Sequence, residues 1–345
     1  MAHVLSIATA SPQYSFQQTD IAESMVRALN LPPKDSSNLR KLYHQSDIHT
    51  RYSVMQNFDS LYTQPTSQQR NEIFKLEAPK LAITAAKKAL DAWQRKPSEI
   101  THVISVSCTG MIAPGIEYYL IKELGLQPTT SRVGINFMGC FGAFNAISVA
   151  TAIAKENPKN RVLVVCTELC SLHGQIDLSP DTLLANALFA DGAAACIVGD
   201  KDPEEKHLFE IINRSSLIVP NTDHIMSWDV GNHGYFMKLS PRVPVLLKKH
   251  IVSFAQNLIE KKCSFEECHW AIHPGGKSII QAIEKECGLI PSQTESSWET
   301  LRKYGNMSSA TFLFVLEKSL QTRQKWTLGI GFGPGLSMEG ILMRS

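Results

Sequence analysis

Short apolar runs alternate along the chain with amphipathic segments, and this alternation indicates the elements that form. The runs HVISVSC (102–108), RVLVVCTEL (161–169) and AAACIVGD (193–200) have the length and apolar content of buried strands. GINFMG (134–139) has the same character, whereas FGAFNAISVATAIAKE (141–156) carries small and apolar residues at helical spacing. Strands that alternate with helices predict an α/β architecture with a layered sheet.

The second half of the chain repeats this pattern. CHWAIH (268–273) predicts a strand, PGG a turn, and KSIIQAIEKECG (277–288) a helix that stops at a glycine. NMSSATFLFVLEKSL (306–320) predicts another helix, with Asn306 as its N-cap. The C-terminal segment predicts two strands around a Gly-Pro-Gly turn.

The most polar break in the pattern is KDPEEKH (201–207), where we expect a domain boundary. It divides the chain into an N-terminal half, residues 1–203, and a C-terminal half, residues 204–345. Strand–turn–helix units at 134–156 and 268–288 suggest that the two halves are related.

Composition narrows the functional classes. The 345 residues are 43% hydrophobic and 19% charged, with a net charge of +2, which argues against a dedicated nucleic-acid binder. No apolar run reaches the ~18–20 residues of a membrane span, and the N-terminus lacks the basic region of a signal peptide. The eight cysteines fit reduced thiols better than a disulfide framework, so we expect a cytoplasmic protein.

Three polar residues stand at predicted element ends. Cys140 follows a strand and precedes a helix, His273 ends a strand, and Asn306 opens a helix. A cysteine at a helix N-terminus with an imidazole partner can attack a carbonyl, and two nearby donors can stabilise an oxyanion. Taken singly, each residue also has an ordinary explanation, as a packed thiol, a core histidine and a helix cap.

The sequence motifs around these residues are more specific. GINFMGCFGAF, WAIHPGGKSII, YGNMSSATFLFVL and GIGFGPGLSMEGILM together resemble the type III polyketide synthases, the chalcone and stilbene synthase family. The resemblance runs nearly end to end. It implies a thiolase-like fold of five αβαβα layers, made of two related α/β halves and assembled as a homodimer.

The resemblance also implies an activity. Cys140 would carry an acyl group taken from a CoA thioester, while His273 and Asn306 would hold the carbonyl of malonyl-CoA during its decarboxylation. Repeated condensation and cyclisation would then give a pyrone, a resorcinol or a related product. CoA thioesters would be the substrates, with no metal or other cofactor.

Further positions match the family's cavity and CoA site. Phe189 matches a gatekeeping phenylalanine, Met237 the second gate, with Phe236 adjacent to it, and His173 suggests a polar, titratable wall. The full set of cavity residues implied by the resemblance is Phe189, Met237, Phe236, Cys108, Glu168, His173, Ser308 and Pro334. Arg40 and Lys41 would bind CoA phosphates, with Gln45 standing where a lysine is usual.

Other functions remain open at this point. A ketoacyl synthase III-like enzyme would take its extender from an acyl carrier protein and leave malonyl-CoA alone unused. A CoA-binding pseudoenzyme would keep the fold without the reaction, although it would have no reason to hold all three polar residues. A papain-like hydrolase could use Cys, His and Asn, but the α/β alternation opposes it.

Overall fold

The computed structural model describes residues 1–202, 205–322 and 324–345, apart from the side chains of residues 60 and 62. The strands are β1 (His3–Ala10), β2 (Tyr14–Gln17), β3 (Thr50–Ser53), β4 (His102–Ser107), β5 (Ser131–Asn136), β6 (Arg161–Leu169), β7 (Asp191–Gly199), β8 (Phe209–Ile218), β9 (Met226–Gly231), β10 (Gly234–Leu239), β11 (Cys268–Ile272), β12 (Trp326–Gly333) and β13 (Ser337–Arg344). The helices are α1 (Gln18–Ala28), α2 (Pro33–Gln45), α3 (Ser67–Trp93), α4 (Ile116–Glu123), α5 (Gly142–Glu156), α6 (Pro180–Leu188), α7 (Val243–Ile259), α8 (Lys277–Cys287), α9 (Pro291–Tyr304) and α10 (Thr311–Ser319).

The large sheet contains the same strand arrangement twice. Its order is β11-β12-β13-β8-β1-β7-β6-β4-β5. In the N-terminal half, β4 is parallel to β6, and β6, β7 and β1 then pair antiparallel. In the C-terminal half, β11 is parallel to β12, and β12, β13 and β8 then pair antiparallel. The two halves meet where β1 pairs with β8, and the prediction of two related halves is confirmed.

Three apolar clusters separate the layers, because both faces of these strands are buried. Along β6, Val162 and Val164 face the central cluster, which includes residues of α5 and α10, whereas Leu163 and Val165 face α3. Along β11, Ala271 faces the central cluster and its neighbours face a third cluster, which contains α7 and α8. Helices therefore cover both outer faces and also lie between the two groups of strands, which gives the expected thiolase-like αβαβα layering.

Two details of the sequence prediction are wrong. Strand β5 ends at Asn136, so a turn separates it from Cys140. Asn306 does not cap α10, which begins at Thr311 after a 3-10 turn at Ser308–Ala310. The cause is local, because the Asn306 side-chain oxygen accepts the backbone N–H of Ser308, two residues later, at 2.9 Å.

The boundary predicted between residues 203 and 204 falls on residues outside the described ranges. Within those ranges, none of the helices combines the length and the apolar character that a membrane crossing requires.

Candidate active site

Cys140 lies in the turn between β5 and α5, one residue after a glycine that the turn requires. Gly139 has φ +82°, and a Cβ there would lie 2.3 Å from Cδ of Pro334. The tight turn places the Cys140 sulfur just before the first residue of α5, with the side chain buried. Burial raises the pKa of the Cys140 thiol to about 12, although the side chains of Ser308 and Asn306 act in the opposite direction. The resting thiol is therefore protonated and needs a base.

His273 is the first residue after β11 and lines the same cavity as Cys140. Its backbone N–H donates to Ile330 O at 2.8 Å, which continues the pairing of β11 with β12. The imidazole is 1% exposed, and neither ring nitrogen has a hydrogen-bond partner among the described residues. Burial lowers the pKa of His273 to about 3, so the ring is neutral, with one nitrogen that can donate a hydrogen bond and one that can accept one.

The backbone and side chain of Asn306 hold its amide in one orientation. The backbone pairs with that of Phe189, and Gly305, at φ +71°, allows this approach, since a Cβ there would lie 2.9 Å from Leu188 O. Oδ1 accepts from Ser308 N and lies 4.0 Å from Cys140 Sγ. Nδ2 is 3.4 Å from Gly275 O, which is a long hydrogen bond. The amide therefore keeps a donor on the side of the loop that carries His273.

Cys140, His273 and Asn306 line one cavity of about 420 Å³, which is large enough for a small-molecule substrate. Its inner walls are mainly apolar, and the remaining wall contains polar residues of α2, of the segment before α7 and of the start of α8. The polar group consists of Gln45, Ser46, Ser240, Lys277, Ser278 and Gln281. The arrangement offers a thiol nucleophile, a neutral imidazole and an amide donor in one mainly apolar cavity.

The structure brings several of the expected cavity residues to this site. Phe189 and Met237 line the 420 Å³ cavity, and together with Cys140 they also line a second void of about 10 Å³. Cys108, Ser308 and Pro334 line the same void. Cys108 Sγ accepts the N–H of Gly139 at 3.0 Å, so this thiol supports the turn that carries the nucleophile.

Phe236 does not line these cavities. Strand β10 alternates its side chains between two faces, so Met237 points inward while Phe236 points outward and is 40% exposed. Its ring lies next to Gly231 on the neighbouring strand. The structure therefore places Met237, and not Phe236, in the cavity lining with Phe189.

Glu168 lies behind the cavity wall and does not line it. Its side chain is fully buried, and its oxygens accept from Ser309 Oγ at 2.5 Å, Thr109 Oγ1 at 2.8 Å and Cys108 N at 2.9 Å. Ser107 Oγ lies 3.3 Å away. Burial raises the pKa of Glu168, whereas these hydrogen bonds lower it. Through these hydrogen bonds, Glu168 joins the segment of Cys108 and Thr109 to the segment of Ser309.

His173 lines a cavity of about 50 Å³ with Phe189, Trp228 and Met237, next to the void beside Cys140. Nε2 donates to Thr109 O at 2.8 Å, and Nδ1 accepts from Tyr235 N at 3.1 Å, so both nitrogens are engaged. The ring stacks on Tyr235 with centroids 4.1 Å apart. Burial lowers the pKa of His173 to about 4, and the residue is a neutral support.

Trp228 was missed in the sequence, although it lines the 10 Å³ void. It pairs directly with Met237 across the β9–β10 hairpin, so both side chains lie on the same face. The hairpin register was the available signal, since counting across the GNHG turn from Met237 leads to Trp228. The indole lies edge-on to His173 and Tyr235, with centroids 5.7 and 5.8 Å away.

The two residues expected to bind CoA phosphates lie outside the cavity lining. Arg40 donates to both carboxylate oxygens of Glu23, at 2.6 and 2.9 Å. Lys41 is exposed on α2, whereas Gln45, one turn later, faces the cavity. Lys277 was not singled out in the sequence, because its position depends on how α8 meets the cavity.

Comparison with known proteins identifies the family to which the chain belongs. Residues 1–203 match the family model for the N-terminal domain of chalcone and stilbene synthases, and residues 210–345 match the model for the C-terminal domain. The chain belongs to the chalcone and stilbene synthase family. The resemblance seen in the sequence is thereby confirmed.

Relatives from Dictyostelium agree with this assignment. The chain is 33% identical over 362 residues to "Probable polyketide synthase 1" of Dictyostelium discoideum, covering 99% of this chain but only 11% of that protein. It also matches the crystal structure of the C-terminal type III polyketide synthase domain of Steely1, a type I/III hybrid from Dictyostelium. That match has a TM-score of 0.95 and 33% identity, and covers 100% of this chain and 99% of the solved one.

Proposed function

We propose that the protein is an acyltransferase that loads an acyl group from a CoA thioester onto Cys140 and extends it by decarboxylative condensation with malonyl-CoA. The observation that carries this proposal is the meeting of Cys140, His273 and Asn306 in one cavity, with the His273 nitrogens unpartnered among the described residues. Family membership and the likeness to a type III polyketide synthase domain support the same reaction class.

Loading begins with proton transfer. His273 accepts the thiol proton as the Cys140 sulfur attacks the thioester carbonyl, and the departing CoA thiolate takes the proton back from the imidazolium. The low pKa of His273 favours return of the proton, which matches a base that must be neutral again for the next step. The acyl group then remains on Cys140 as a thioester.

Extension uses Asn306 and His273 as hydrogen-bond donors. Malonyl-CoA loses CO2, and the electron pair of the broken C–C bond forms an enolate whose oxygen accepts hydrogen bonds from Asn306 Nδ2 and His273. Because the amide is uncharged and is not an acid, it stabilises the enolate without protonating it. The enolate carbon attacks the Cys140 thioester, which releases the thiolate and a β-ketoacyl-CoA that can load again. Cyclisation would give a pyrone, a resorcinol or a related product.

The first experiment is mass spectrometry of products from the purified protein. It receives malonyl-CoA alone and then with short, long-chain and aromatic acyl-CoA starters, with Cys140→Ala as the control. Cyclic polyketides that depend on Cys140 support the proposal. Turnover only with malonyl on an acyl carrier protein would favour a ketoacyl synthase III-like enzyme, and no turnover on either carrier would favour a pseudoenzyme.

We also propose a homodimer in the cytoplasm. Strand β5 ends the large sheet as an open edge, and large apolar side chains near it are exposed, among them Met111 at 59% and Met138 at 36%. An open edge beside exposed apolar side chains favours pairing with a second copy. The thiols, all eight of them free, suit a reducing compartment. Light scattering after size-exclusion chromatography tests the dimer, and a monomer at micromolar concentration would contradict it.

A further inference from the structure

We propose that Lys277 binds a phosphate group of the CoA carrier at the mouth of the active-site cavity, in place of the basic residues on α2. This inference rests on the proposed use of CoA thioesters. It concerns only where the carrier is held, and leaves the roles of Cys140, His273 and Asn306 unchanged.

The charge of the cavity lining is the first observation. Among the described residues that line the 420 Å³ cavity, Lys277 is the only lysine, arginine, aspartate or glutamate. The catalytic end has the neutral His273, and the inner walls are mainly apolar. If the pantetheine arm of CoA lies in this cavity with its thioester at Cys140, one cationic side chain of the lining, Lys277, can contact the phosphates.

The surroundings of Lys277 leave its charge available. The side chain is partly buried and forms no ion pair among the described residues. The acidic residues farther along α8 have other partners: Glu286 lies 3.7 Å from Lys248 Nζ, and Glu284 accepts from Trp298 and Thr294. The lysine is therefore not neutralised by its own helix.

The start of α8 adds to this charge. Lys277 is the first residue of this eleven-residue helix, and Gly276 before it supplies no side-chain cap. The positive end of the helix dipole thus lies beside the ammonium group, and both favour an anion. The unpartnered imidazole of His273 in the same cavity is an independent sign that a ligand enters here.

The alternative cations on α2 are less well placed. Arg40 is held by Glu23 through two hydrogen bonds, and neither it nor Lys41 lines the cavity. Where α2 does reach the cavity, it presents Leu42, Gln45 and Ser46, which carry no charge. The charged side chain of the described cavity lining is therefore on α8 and not on α2.

The test is calorimetric binding of CoA to the parent protein and to Lys277→Ala, which does not depend on turnover. We expect the dissociation constant to rise about fivefold or more, the loss of one partly screened charge contact. Lys277→Arg should keep most of the affinity, because it keeps the charge. Pantetheine, which has no phosphate, should bind parent and variant equally, and dephospho-CoA distinguishes the diphosphate from the 3′-phosphate.

Lys285→Ala is the matched control, because it removes the same charge from an exposed position on the same helix. Arg40→Ala and Lys41→Ala test the competing site and should change the dissociation constant less than about twofold. Unchanged CoA binding in Lys277→Ala overturns the inference, as does an equal loss for pantetheine or a parent that does not bind CoA. Lys277-dependent binding without polyketide products would uphold the inference and reject the proposed function.

Discussion

The indole N–H of Trp228 donates a hydrogen bond of 2.7 Å to the backbone carbonyl of Cys108, and this bond joins the β9–β10 hairpin to the segment that follows β4. Both residues border the void of about 10 Å³ that Cys140 also lines. Such a void has room for about one water molecule. Trp228 also lines a neighbouring cavity of about 50 Å³, so the indole limits how far an acyl chain on Cys140 can extend on this side.

Replacing Trp228 by alanine should lengthen the products. Removal of the indole enlarges the space beside Cys140, so more extension steps fit before release, and the measurement is the product mass distribution with a fixed starter. Trp228→Phe, which keeps a ring but loses the hydrogen bond to Cys108, should shift the products less. The truncation also lowers the unfolding free energy, by less than the ~3–5 kcal/mol of a core tryptophan because Trp228 is only partly buried, so the assay runs well below the melting temperature.

Phe236→Ala is the control for this experiment. It removes an aromatic ring from the same hairpin at a position that is 40% exposed and does not line the cavity. Its products should match those of the parent. Identical products from all three variants would show that Trp228 does not limit the chain.

Asn306→Asp should separate the two halves of the reaction. The aspartate keeps an oxygen to accept the Ser308 N–H but loses the Nδ2 donor and places negative charge beside the enolate. Removing one such donor typically costs about 10²–10³ in rate, so CO2 release from malonyl-CoA should fall by that factor. Intact-mass measurement should still find the acyl group on Cys140. Equal loss of loading and decarboxylation would contradict the assigned role.

These cases show how far local pattern predicts the site. Cys140 and His273 were found because apolar runs and flanking glycines mark the ends of β5 and β11. The cap predicted for Asn306 was wrong because its side chain satisfies a nearer backbone N–H. Trp228 and Lys277 depend on hairpin register and on helix placement, which are tertiary features. The alternation of side chains along β10 likewise decides which of Met237 and Phe236 faces the cavity. The two residues are adjacent in the sequence, which does not show which face of the strand is buried.

Buried histidines should make the fold less stable below neutral pH. Burial lowers the pKa of His269 to about 4, below the 6.5 of an exposed histidine. Above pH 6.5 the His269 ring is neutral in both the native and the unfolded state. Between pH 6.5 and 4 the ring binds a proton in the unfolded chain but not in the native state, so stability falls as pH falls. One pKa unit is worth about 1.4 kcal/mol, so His269 alone removes about 2 kcal/mol between pH 7 and 5.

His269→Gln tests this dependence away from the reaction. Glutamine can still hydrogen-bond to Ser296, which lies 2.7 Å from Nε2, but it does not titrate. Urea unfolding at pH 7 and pH 5 should therefore show a smaller loss than in the parent, while His173 and His273 continue to contribute. His224→Gln, at a side chain that is 60% exposed, is the control for the exchange of a histidine for glutamine. A variant with the full parental loss would rule out His269 as a source.

Glu168→Gln should destabilise the fold more than a typical surface substitution does. Hydroxyl and backbone N–H groups point at the carboxylate, and the amide replaces one acceptor oxygen with a donor that faces Ser309 or Thr109. An unsatisfied buried group costs about 1–3 kcal/mol, and more where a charged acceptor is lost, so we expect unfolding free energy to fall by about 2–3 kcal/mol. Glu339→Gln is the control, because that buried carboxylate accepts from one hydroxyl, Ser216 Oγ, and should lose less. Equal losses of unfolding free energy in the two variants would show that the hydrogen bonds of Glu168 do not stabilise the segment around Cys108.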